Sequence, residues 1–334
     1  MNDGSVSNIH VIVPAYRAAW SLRACLDHLQ AAGFAPRDIT VVDDGSPDAT
    51  SDIARKTGVR VVRLPFSNGA AVARNAGAAD VASDLLFFVD ADVLVHSGVR
   101  SRIEAFFAAH PEHAGLYGSY DDAPTHPGRV SRIRNLLHHH VHQVSGGDVP
   151  SFWTGCGAVR RADFERIGGF RTEDERIEDV GFGMALARSG RKVRLDPDLL
   201  CRHMKHWTLR GMAETDLLHR AIPWSRMLRA PENRDLPHRL NTDRTGKMSV
   251  VAVATALLAV PLAPLAPITG LALFMVAIVA LAWLNRGFLS RVSRLWGPWE
   301  AIAALGILMV HYACAGIGYA SVMLGLNRRR GAPE

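Results

Sequence analysis

Two pairs of carboxylates follow apolar runs in the first third of the chain. Asp43 and Asp44 end the run "ITVVDD", and Asp90 and Asp92 end the run "LLFFVDAD". Side chains alternate along an extended strand, so Asp90 and Asp92 point to the same side. Two carboxylates placed in this way can hold a hard divalent cation that bridges phosphate oxygens. A solvated acidic strand end is the alternative, and the Asp-x-Asp spacing alone does not decide between them.

The adjacent pair, Asp43 and Asp44, indicates a different chemistry. Neighbouring anions repel each other, so the pair adds little to stability. One carboxylate could accept a hydrogen bond from a nucleobase N–H and the other from a ribose hydroxyl. Capping of the next helix by Asp44 or Ser46 accounts for one acid but not for both. Pro14 and Tyr16, at the end of the first apolar run, would form a stiff wall for the base.

A third acidic pair, Glu178 and Asp179, opens a predicted helix in "RIEDVGFGMAL". The residues alone favour a structural role, because acidic side chains pair well with a helix N-terminus. Downstream, "CRHMKHW" offers His203 and His206, each either a metal ligand or a surface histidine. In "FWTGCG", the ring of Trp153 could stack on a sugar or belong to the core.

The elements that must position these residues alternate between apolar runs and helical segments. Predicted strands are "IHVIVPAY", "DITVV", "VRVVRL" and "DLLFFVDADV", with a helical segment after each of the first three. This alternation predicts an α/β fold with a mostly parallel sheet and flanking helices. Ligands of such sheets bind beyond the carboxyl ends of the strands, so we expect the acids to meet at one edge.

Six motifs occur in the order found in the inverting family 2 glycosyltransferases. They are "VIVPAY", "VVDDGSPDAT", "GAAVARNAGA", "FFVDADV", "GCGAVRRADFERIGGF" and "IEDVGFGMALARSG". The chain therefore resembles this family over about residues 9 to 207. The resemblance implies the GT-A fold and a nucleotide-sugar donor, with either UDP or GDP as its nucleotide.

The resemblance also implies roles for individual residues. Asp179 would be the catalytic base, while a Mg²⁺ or Mn²⁺ ion on Asp92 and His203 steadies the leaving phosphates. The predicted nucleotide pocket comprises Pro14, Tyr16, Asp43, Asp44, Arg74 and Asp90. The predicted acceptor side comprises Trp153, Gly155 and Glu178, where glycine allows a close backbone approach.

Composition limits the partners and the compartment. The net charge of +6 suits a partner that carries phosphates, whether a nucleotide, a nucleic acid or an anionic lipid. No nucleic-acid-reading motif occurs, so we expect no nucleic acid partner. The four cysteines are scattered, which indicates reduced structural thiols. The N-terminal "MNDGSVSNIH" lacks a basic segment followed by an apolar core, so we predict no signal peptide.

The last quarter of the chain has the character of a membrane anchor. Residues 248–284 carry no charge, and a second apolar stretch covers residues 301–326. Both are long enough to enter a bilayer, and "PLAPLAP" should divide the first into two helices. The predicted organisation is a catalytic domain over residues 1–207, interfacial helices and a linker over 208–247, and an anchor with transmembrane helices over 248–334. Pro223 should split the interfacial segment in two.

These features predict a metal-dependent inverting glycosyltransferase of the cell (inner) membrane, with its catalytic domain in the cytoplasm. The acceptor would be a hydroxyl of a lipid or lipid-linked molecule. A polyprenyl-phosphate glycosyltransferase and a catalytically silent nucleotide-sugar-binding subunit are the alternatives. "HRAIPW" replaces the Gln-x-x-Arg-Trp of processive members, which argues against a polysaccharide synthase. Arg286, Arg291 and Arg294 agree with a cytosolic loop, whereas Arg328–Arg330 disagree, which leaves the number of crossings open.

Overall fold

The computed structural model describes residues 8–174, 176–236 and 243–326. The chain forms two compact units. The first contains the described residues up to 126 together with 141–205, and the second contains 127–140 together with the described residues from 206 onward. Three parts of the sequence predictions lie outside the described residues: the start of the chain (1–7), part of the predicted linker (237–242), and the arginines at 328–330.

The described part of the first unit contains one nine-stranded sheet in the order β3-β2-β1-β4-β8-β6-β9-β5, with β7 beside β9. The strands are β1 (Ile9–Ala15), β2 (Ile39–Asp43), β3 (Arg60–Arg63), β4 (Leu85–Val89), β5 (Val93–Val95), β6 (His113–Tyr120), β7 (Gly147–Asp148), β8 (Cys156–Arg160) and β9 (Lys192–His203). The first four are parallel, as the alternation of strands and helices predicts.

The other half of the sheet is mixed. Strand β8 is antiparallel to both β4 and β6, whereas β6 and β9 are parallel to each other. Strands β5 and β7 are antiparallel to β9. Most strands therefore share one direction, and the predicted mostly parallel α/β sheet is confirmed. The reversed strands lie in or beside the irregular part of the sequence after residue 90. There, apolar runs and helical segments do not alternate regularly, so the sequence does not predict these strands.

Helices cover both faces of the sheet. The first unit contains α1 (Leu22–Ala31), α2 (Thr50–Lys56), α3 (Ala70–Ala79), α4 (Val99–Ala109), α6 (Arg161–Arg166), α7 (Glu178–Arg188), the end of α5 (Arg129–Val144) and a 3-10 turn (Pro36–Asp38). On one face, Leu26 of α1 is buried in one core cluster with Val11 and Val13. On the other face, α3 packs closely, since a Cβ on Gly77 would lie 2.6 Å from Ile12 Cγ2.

The second unit is helical in its described part. Besides the first part of α5, it contains α8 (Leu209–Glu214), a π-helix (Thr215–Ala221), α9 (Ile222–Arg229), a 3-10 turn (Pro231–Asn233), α10 (Arg244–Leu262), α11 (Pro267–Leu284), α12 (Arg286–Trp296) and α13 (Pro298–Met323). Helices α10, α11 and α13 are long and apolar enough to cross a membrane, with mean hydropathies of 1.6, 2.3 and 1.8. The predicted division at "PLAPLAP" is confirmed, because α10 ends at Leu262 and α11 begins at Pro267.

The prediction that Pro223 splits the interfacial segment is wrong. Helical structure continues from α8 through the π-helix into α9, and Pro223 lies in the first turn of α9. Proline has no N–H and its ring crowds the preceding turn of an α-helix. The wider π-helical turns directly before it accommodate the ring, so the chain continues without a break.

Candidate active site

A cavity of about 320 Å³ lies where β1, β2 and β4 end. Register pairs Ala15 with Asp43, so the carboxyl ends of β1 and β2 lie side by side. Six of the predicted site residues line the cavity: Pro14, Tyr16, Asp44, Arg74, Asp90 and Asp92. The structure therefore brings the ends of three predicted strands to one site.

Asp44 faces this cavity and also holds the loop that leads into α3. Its Oδ2 accepts hydrogen bonds from Ser67 Oγ at 2.8 Å and Gly69 N at 2.9 Å. Its Oδ1 accepts one from Asn68 N at 2.9 Å. These three hydrogen bonds to one carboxylate fix the start of α3 beside the cavity.

Asp43 lies behind its neighbour and outside the cavity lining. Its side chain is fully buried, and its carboxylate accepts hydrogen bonds from Ser46 N at 2.9 Å and from Ser51 Oγ. The turn between these residues depends on Gly45, whose φ is +70° and whose Cβ would lie 2.6 Å from the carbonyl carbon of Phe66. Asp43 thus shapes the turn that presents Asp44.

Arg74 joins two acids from distant parts of the chain. It is buried on α3, where Nη2 donates to Asp90 Oδ1 at 2.8 Å and Nη1 to Glu178 Oε1 at 2.6 Å. One guanidinium therefore links the end of β4 to the first turn of α7. Burial of such a charge is tolerated because both acids are hydrogen-bonded to it.

Asp179 follows Glu178 in the first turn of α7, and its Oδ1 accepts a hydrogen bond from Val180 N at 2.8 Å. Burial and the negative charge of Glu178 raise the pKa of Asp179 to about 7, although Arg74 opposes the shift. A carboxyl group with such a pKa can exchange a proton near neutral pH. This environment suits a general base.

Asp92 and His203 meet because β5 pairs with β9. The register places Val93 opposite His203, and His203 Nε2 lies 3.3 Å from Asp92 Oδ2. The His203 ring is stacked on Tyr120, with centroids 4.5 Å apart and 6° between the planes. Burial alone would raise the pKa of Asp92, but the hydrogen bond and charge of His203, with help from Lys205, hold that pKa below its ordinary value.

The carboxylate and imidazole together fit a divalent cation. Ligand atoms about 2.1 Å from one octahedral ion lie about 3 Å apart, which is close to the separation of Asp92 Oδ2 and His203 Nε2. Asp90 Oδ1 is engaged by Arg74, so Asp92 has the freer carboxylate of the Asp-x-Asp pair. These two side chains could hold a metal ion at the edge of the cavity.

The ring of Trp153 packs directly against Gly155. The Trp153 ring packs edge-on against Tyr120, with centroids 4.7 Å apart, and a Cβ on Gly155 would lie 2.2 Å from Trp153 Cζ2. The close approach that Gly155 permits is therefore made by this ring. Glu178, predicted on the acceptor side, is buried in its ion pair with Arg74.

Sequence reasoning missed several residues that line the cavity, among them Arg17 and Trp20. Trp20 is 64% exposed, and Arg17 has a φ of +51°, which is rare for a residue with a side chain. Trp20 could have been predicted, because it is an aromatic residue shortly after the first strand. The contact of Tyr120 with His203 could not be predicted from the sequence, because it depends on the pairing of β6 with β9.

Comparison with protein families finds two matches that overlap in the middle of the chain. The profile "Glycosyl transferase family 2" matches residues 10–168. The profile "Glycosyl transferase family 21" matches residues 147–321, which is just over half of the chain. The matched ranges together include the cavity, the first two apolar helices and nearly all of the third.

Individual relatives are distant. An uncharacterized glycosyltransferase of Haemophilus influenzae is 26% identical over 190 residues, covering 53% of this chain and 61% of that protein. Validoxylamine A glucosyltransferase of Streptomyces hygroscopicus subsp. limoneus is 29% identical over 226 residues, covering 54% of this chain and 48% of that protein. The chain thus spans about half the length of these curated relatives.

A solved structure shares the fold. It is a mannosyltransferase from Pyrobaculum calidifontis in complex with GDP-Man and Mn²⁺, with a TM-score of 0.57 and 18% identity. The match covers 94% of this chain and 88% of that one. At this identity the likeness concerns the fold, which is that of a GT-A glycosyltransferase.

Proposed function

This chain belongs to the glycosyltransferases of families 2 and 21, and from that premise we propose that it transfers a sugar from a nucleotide-sugar donor to a hydroxyl group with inversion at the anomeric carbon. The observation that carries the proposal is the cluster in which Asp90, Glu178 and the neighbouring Asp179 surround the buried Arg74. Burial and the charge of Glu178 raise the pKa of Asp179 to about 7 in this cluster. A carboxyl group of that kind is able to take a proton from an attacking hydroxyl.

The donor would occupy the cavity beyond β1, β2 and β4. Pro14, Tyr16 and Trp20 offer a stiff and aromatic border for a nucleobase. Of the adjacent pair Asp43 and Asp44, Asp44 is the acid that lines the cavity, so it is suited to a ribose hydroxyl or a base N–H. The mannosyltransferase of similar fold was solved with GDP-Man, which supports a UDP- or GDP-sugar as the donor class.

Asp92 and His203 would hold a Mg²⁺ or Mn²⁺ ion. A bound ion of this class neutralises charge that develops on a leaving diphosphate. The 3.3 Å between Asp92 Oδ2 and His203 Nε2 supports this assignment. The stack of His203 on Tyr120 fixes the imidazole plane, and the Thr125 hydroxyl donates to the His203 carbonyl at 3.2 Å.

Asp179 would act as the base. Its carboxylate takes the proton of the acceptor hydroxyl as the oxygen attacks the anomeric carbon, and the nucleoside diphosphate leaves from the opposite face. Glu178 is unsuited to this role because its Oε1 is bound to Arg74 at 2.6 Å. Arg74 is thus a positioning residue that holds Glu178 in place, and burial together with the charge of Glu178 raises the pKa of Asp179.

The acceptor is proposed to be a lipid or a lipid-linked molecule at the cytosolic leaflet of the cell (inner) membrane. Helices α10, α11 and α13 would form the anchor over residues 248–334, with interfacial helices and a linker over 208–247 and the catalytic domain over 1–207. Helix α12 supports this arrangement. It buries Phe288 and Val292 while it carries Arg286, Arg291 and Arg294, the pattern of a helix at a membrane surface.

The environment of Asp179 favours a hydroxyl over a polyprenyl phosphate as the acceptor. A phosphate oxygen is already ionised at neutral pH and needs no base. A carboxyl group with a pKa of about 7 is suited to a proton that must be removed during attack. A catalytically silent subunit would not need a carboxyl group with a raised pKa at this position.

The test is a screen of UDP- and GDP-sugars with the full chain purified in detergent, in Mg²⁺, in Mn²⁺ and in EDTA. We expect one donor to release its nucleoside diphosphate in a metal-dependent reaction. Asp92→Asn should lower that rate by about 100-fold or more, because the proposed ion loses its carboxylate ligand. Asp198→Asn is the matched control, since that side chain is 80% exposed on β9. Full activity in EDTA, or equal rates in Asp92→Asn and wild type, would contradict the proposal.

A further inference from the structure

Three side chains capable of binding a metal lie together at the start of β6, namely His110, Glu112 and His113. One ligand atom of each lies within 4.8 Å of the others. The Nδ1 atoms of His113 and His110 lie 3.0 and 3.5 Å from Glu112 Oε1. Strand β6 runs from His113 to Tyr120, and seven residues of strand span about 23 Å. This cluster is therefore at the opposite end of β6 from the ring that stacks on His203.

The surroundings of His113 leave a lone pair unsatisfied. The imidazole is 3% exposed, and its Nε2 lies 2.9 Å from Asp148 Oδ1, which can accept the proton of Nε2–H. In that tautomer Nδ1 carries a lone pair. This Nδ1 is buried and has no hydrogen-bond partner within the described residues, although Glu112 Oε1 is 3.0 Å away. Two electron-rich atoms that face each other so closely need either a proton or a metal ion between them.

We propose that His110, Glu112 and His113 bind a divalent transition-metal ion of the Zn²⁺ class, at a site separate from the donor's metal ion. Two imidazole nitrogens and one carboxylate oxygen form a ligand set that Zn²⁺ favours. Ligands about 2.0–2.1 Å from a tetrahedral Zn²⁺ lie about 3.3 Å apart. The observed separations of 3.0 and 3.5 Å from Glu112 Oε1 bracket this value.

Groups around the cluster hold the ligands in place. Asp148 Oδ1 engages His113 Nε2, as carboxylates do behind metal-bound histidines. Lys192 and Arg194 in turn lie 3.6 and 3.4 Å from the Asp148 carboxylate. The Phe106 ring packs against both imidazoles, with its centroid 4.7 Å from that of His110 and 5.2 Å from that of His113.

A bound ion would join the end of α4 to the start of β6. His110 directly follows α4, and His113 is the first residue of β6. The fourth coordination position of such a three-ligand site is open to water. The ion would thereby stabilise the fold at the edge of the sheet remote from the cavity.

The experiment measures Zn²⁺ binding to the full chain in detergent at pH 7.5 by equilibrium dialysis. All samples carry Asp92→Asn, which removes the proposed donor-side ligand. We expect one tightly bound Zn²⁺ per chain, and at least a 10-fold weaker affinity after Glu112→Gln or His110→Gln. Both side chains are exposed, so the variants should fold. Glu104→Gln on α4 is the matched control and should bind as before.

Cobalt provides a second readout that does not depend on stoichiometry. Co²⁺ in the same site should give the visible absorption of a tetrahedral ion, and Glu112→Gln should abolish that absorption. Equal Zn²⁺ binding with and without Glu112→Gln would overturn the proposal, since the ion would then lie elsewhere, for example on the histidines of α5. Absence of tight binding in the Asp92→Asn background would overturn it as well.

Discussion

At the scale of single residues, Arg74 places a buried positive charge between two acids of the site. Two of its three guanidinium nitrogens bind Asp90 and Glu178, which are 16 and 104 positions away in the chain. Asp179 instead accepts a hydrogen bond from the N–H of Val180. The two adjacent carboxyl groups of Glu178 and Asp179 therefore have different environments. Pairs of acids whose environments differ in this way commonly have different catalytic roles.

Replacement of Arg74 by methionine should destabilise the protein by about 3–5 kcal/mol, because two acids lose their buried cation. Glu178→Gln added to this variant should recover part of the loss, since one repulsive charge is removed. Arg23→Met is the control, because its ion pair with Asp27 is exposed and contributes less than about 1 kcal/mol. Denaturant unfolding measures all four proteins. A similar loss for Arg23→Met would contradict the assignment.

The pKa of Asp179 predicts a pH-dependent effect on stability. Its folded value of about 7 lies above the ordinary value of 3.8, so between these pH values the folded chain holds more protons than the unfolded chain. Stability therefore falls as pH rises from about 4 to 7, and the ionised group remains unfavourable above that range. Asp179→Asn removes this cost.

The measurement is Tm in EDTA at several pH values. Asp179→Asn should raise Tm by roughly 3 °C at pH 8 and have little effect at pH 4. Asp198→Asn, on an exposed side chain, should leave Tm unchanged at both pH values. A stabilisation by Asp179→Asn that is independent of pH would show that its carboxyl group is not the titrating group.

At the scale of elements, the turn from β2 towards α2 presents Asp44 to the cavity. Gly45→Ala should weaken donor binding by about 10-fold or more, because a Cβ would lie 2.6 Å from the Phe66 carbonyl carbon and displace this turn. Gly58→Ala is the matched control. Its φ of +76° carries the same strain, but its Cβ would meet only Pro36 at 3.9 Å. Calorimetric titration of the donor compares the two, and equal affinities would contradict the prediction.

The sequence predicted the regular half of the fold well and the irregular half less well. Strands β1 to β4 follow from local alternation of apolar runs and helices, and both the glycosyltransferase family and the GT-A fold are confirmed. The antiparallel insertion of β8 between β4 and β6 did not follow, because it depends on long-range pairing. The continuous helix through Pro223 was missed because a π-helical segment has no distinct periodic signal.

In the site too, features set by local sequence could be predicted, whereas contacts between distant parts of the chain could not. The acids at the strand ends could be placed from the sequence, since β1, β2 and β4 end at one edge. The bond of Arg74 to Glu178 could not, because 104 positions separate the two residues. The roles of Asp179, Asp92 and His203 stay predictions that rest on geometry and family resemblance.

At the scale of the whole molecule, the apolar helices predict a defined topology. If α10 and α11 cross the membrane in succession, the loop at Leu265 lies on the non-cytosolic side and α12 lies at the cytosolic face. Leu265→Cys should then react with an impermeant maleimide on intact cells, whereas Ser290→Cys should react only after lysis. The four native cysteines are buried and give a low background. Labelling of both positions from the same side would contradict this topology.

The most direct test of the central claim is the rate of sugar transfer by Asp179→Asn at saturating donor and metal, with the donor Kd measured on the same sample. If Asp179 removes the acceptor proton, the rate should fall by about 10²–10⁴-fold while Kd changes only a few-fold. A wild-type rate in Asp179→Asn would contradict the account, because the acceptor would then lose its proton to another group.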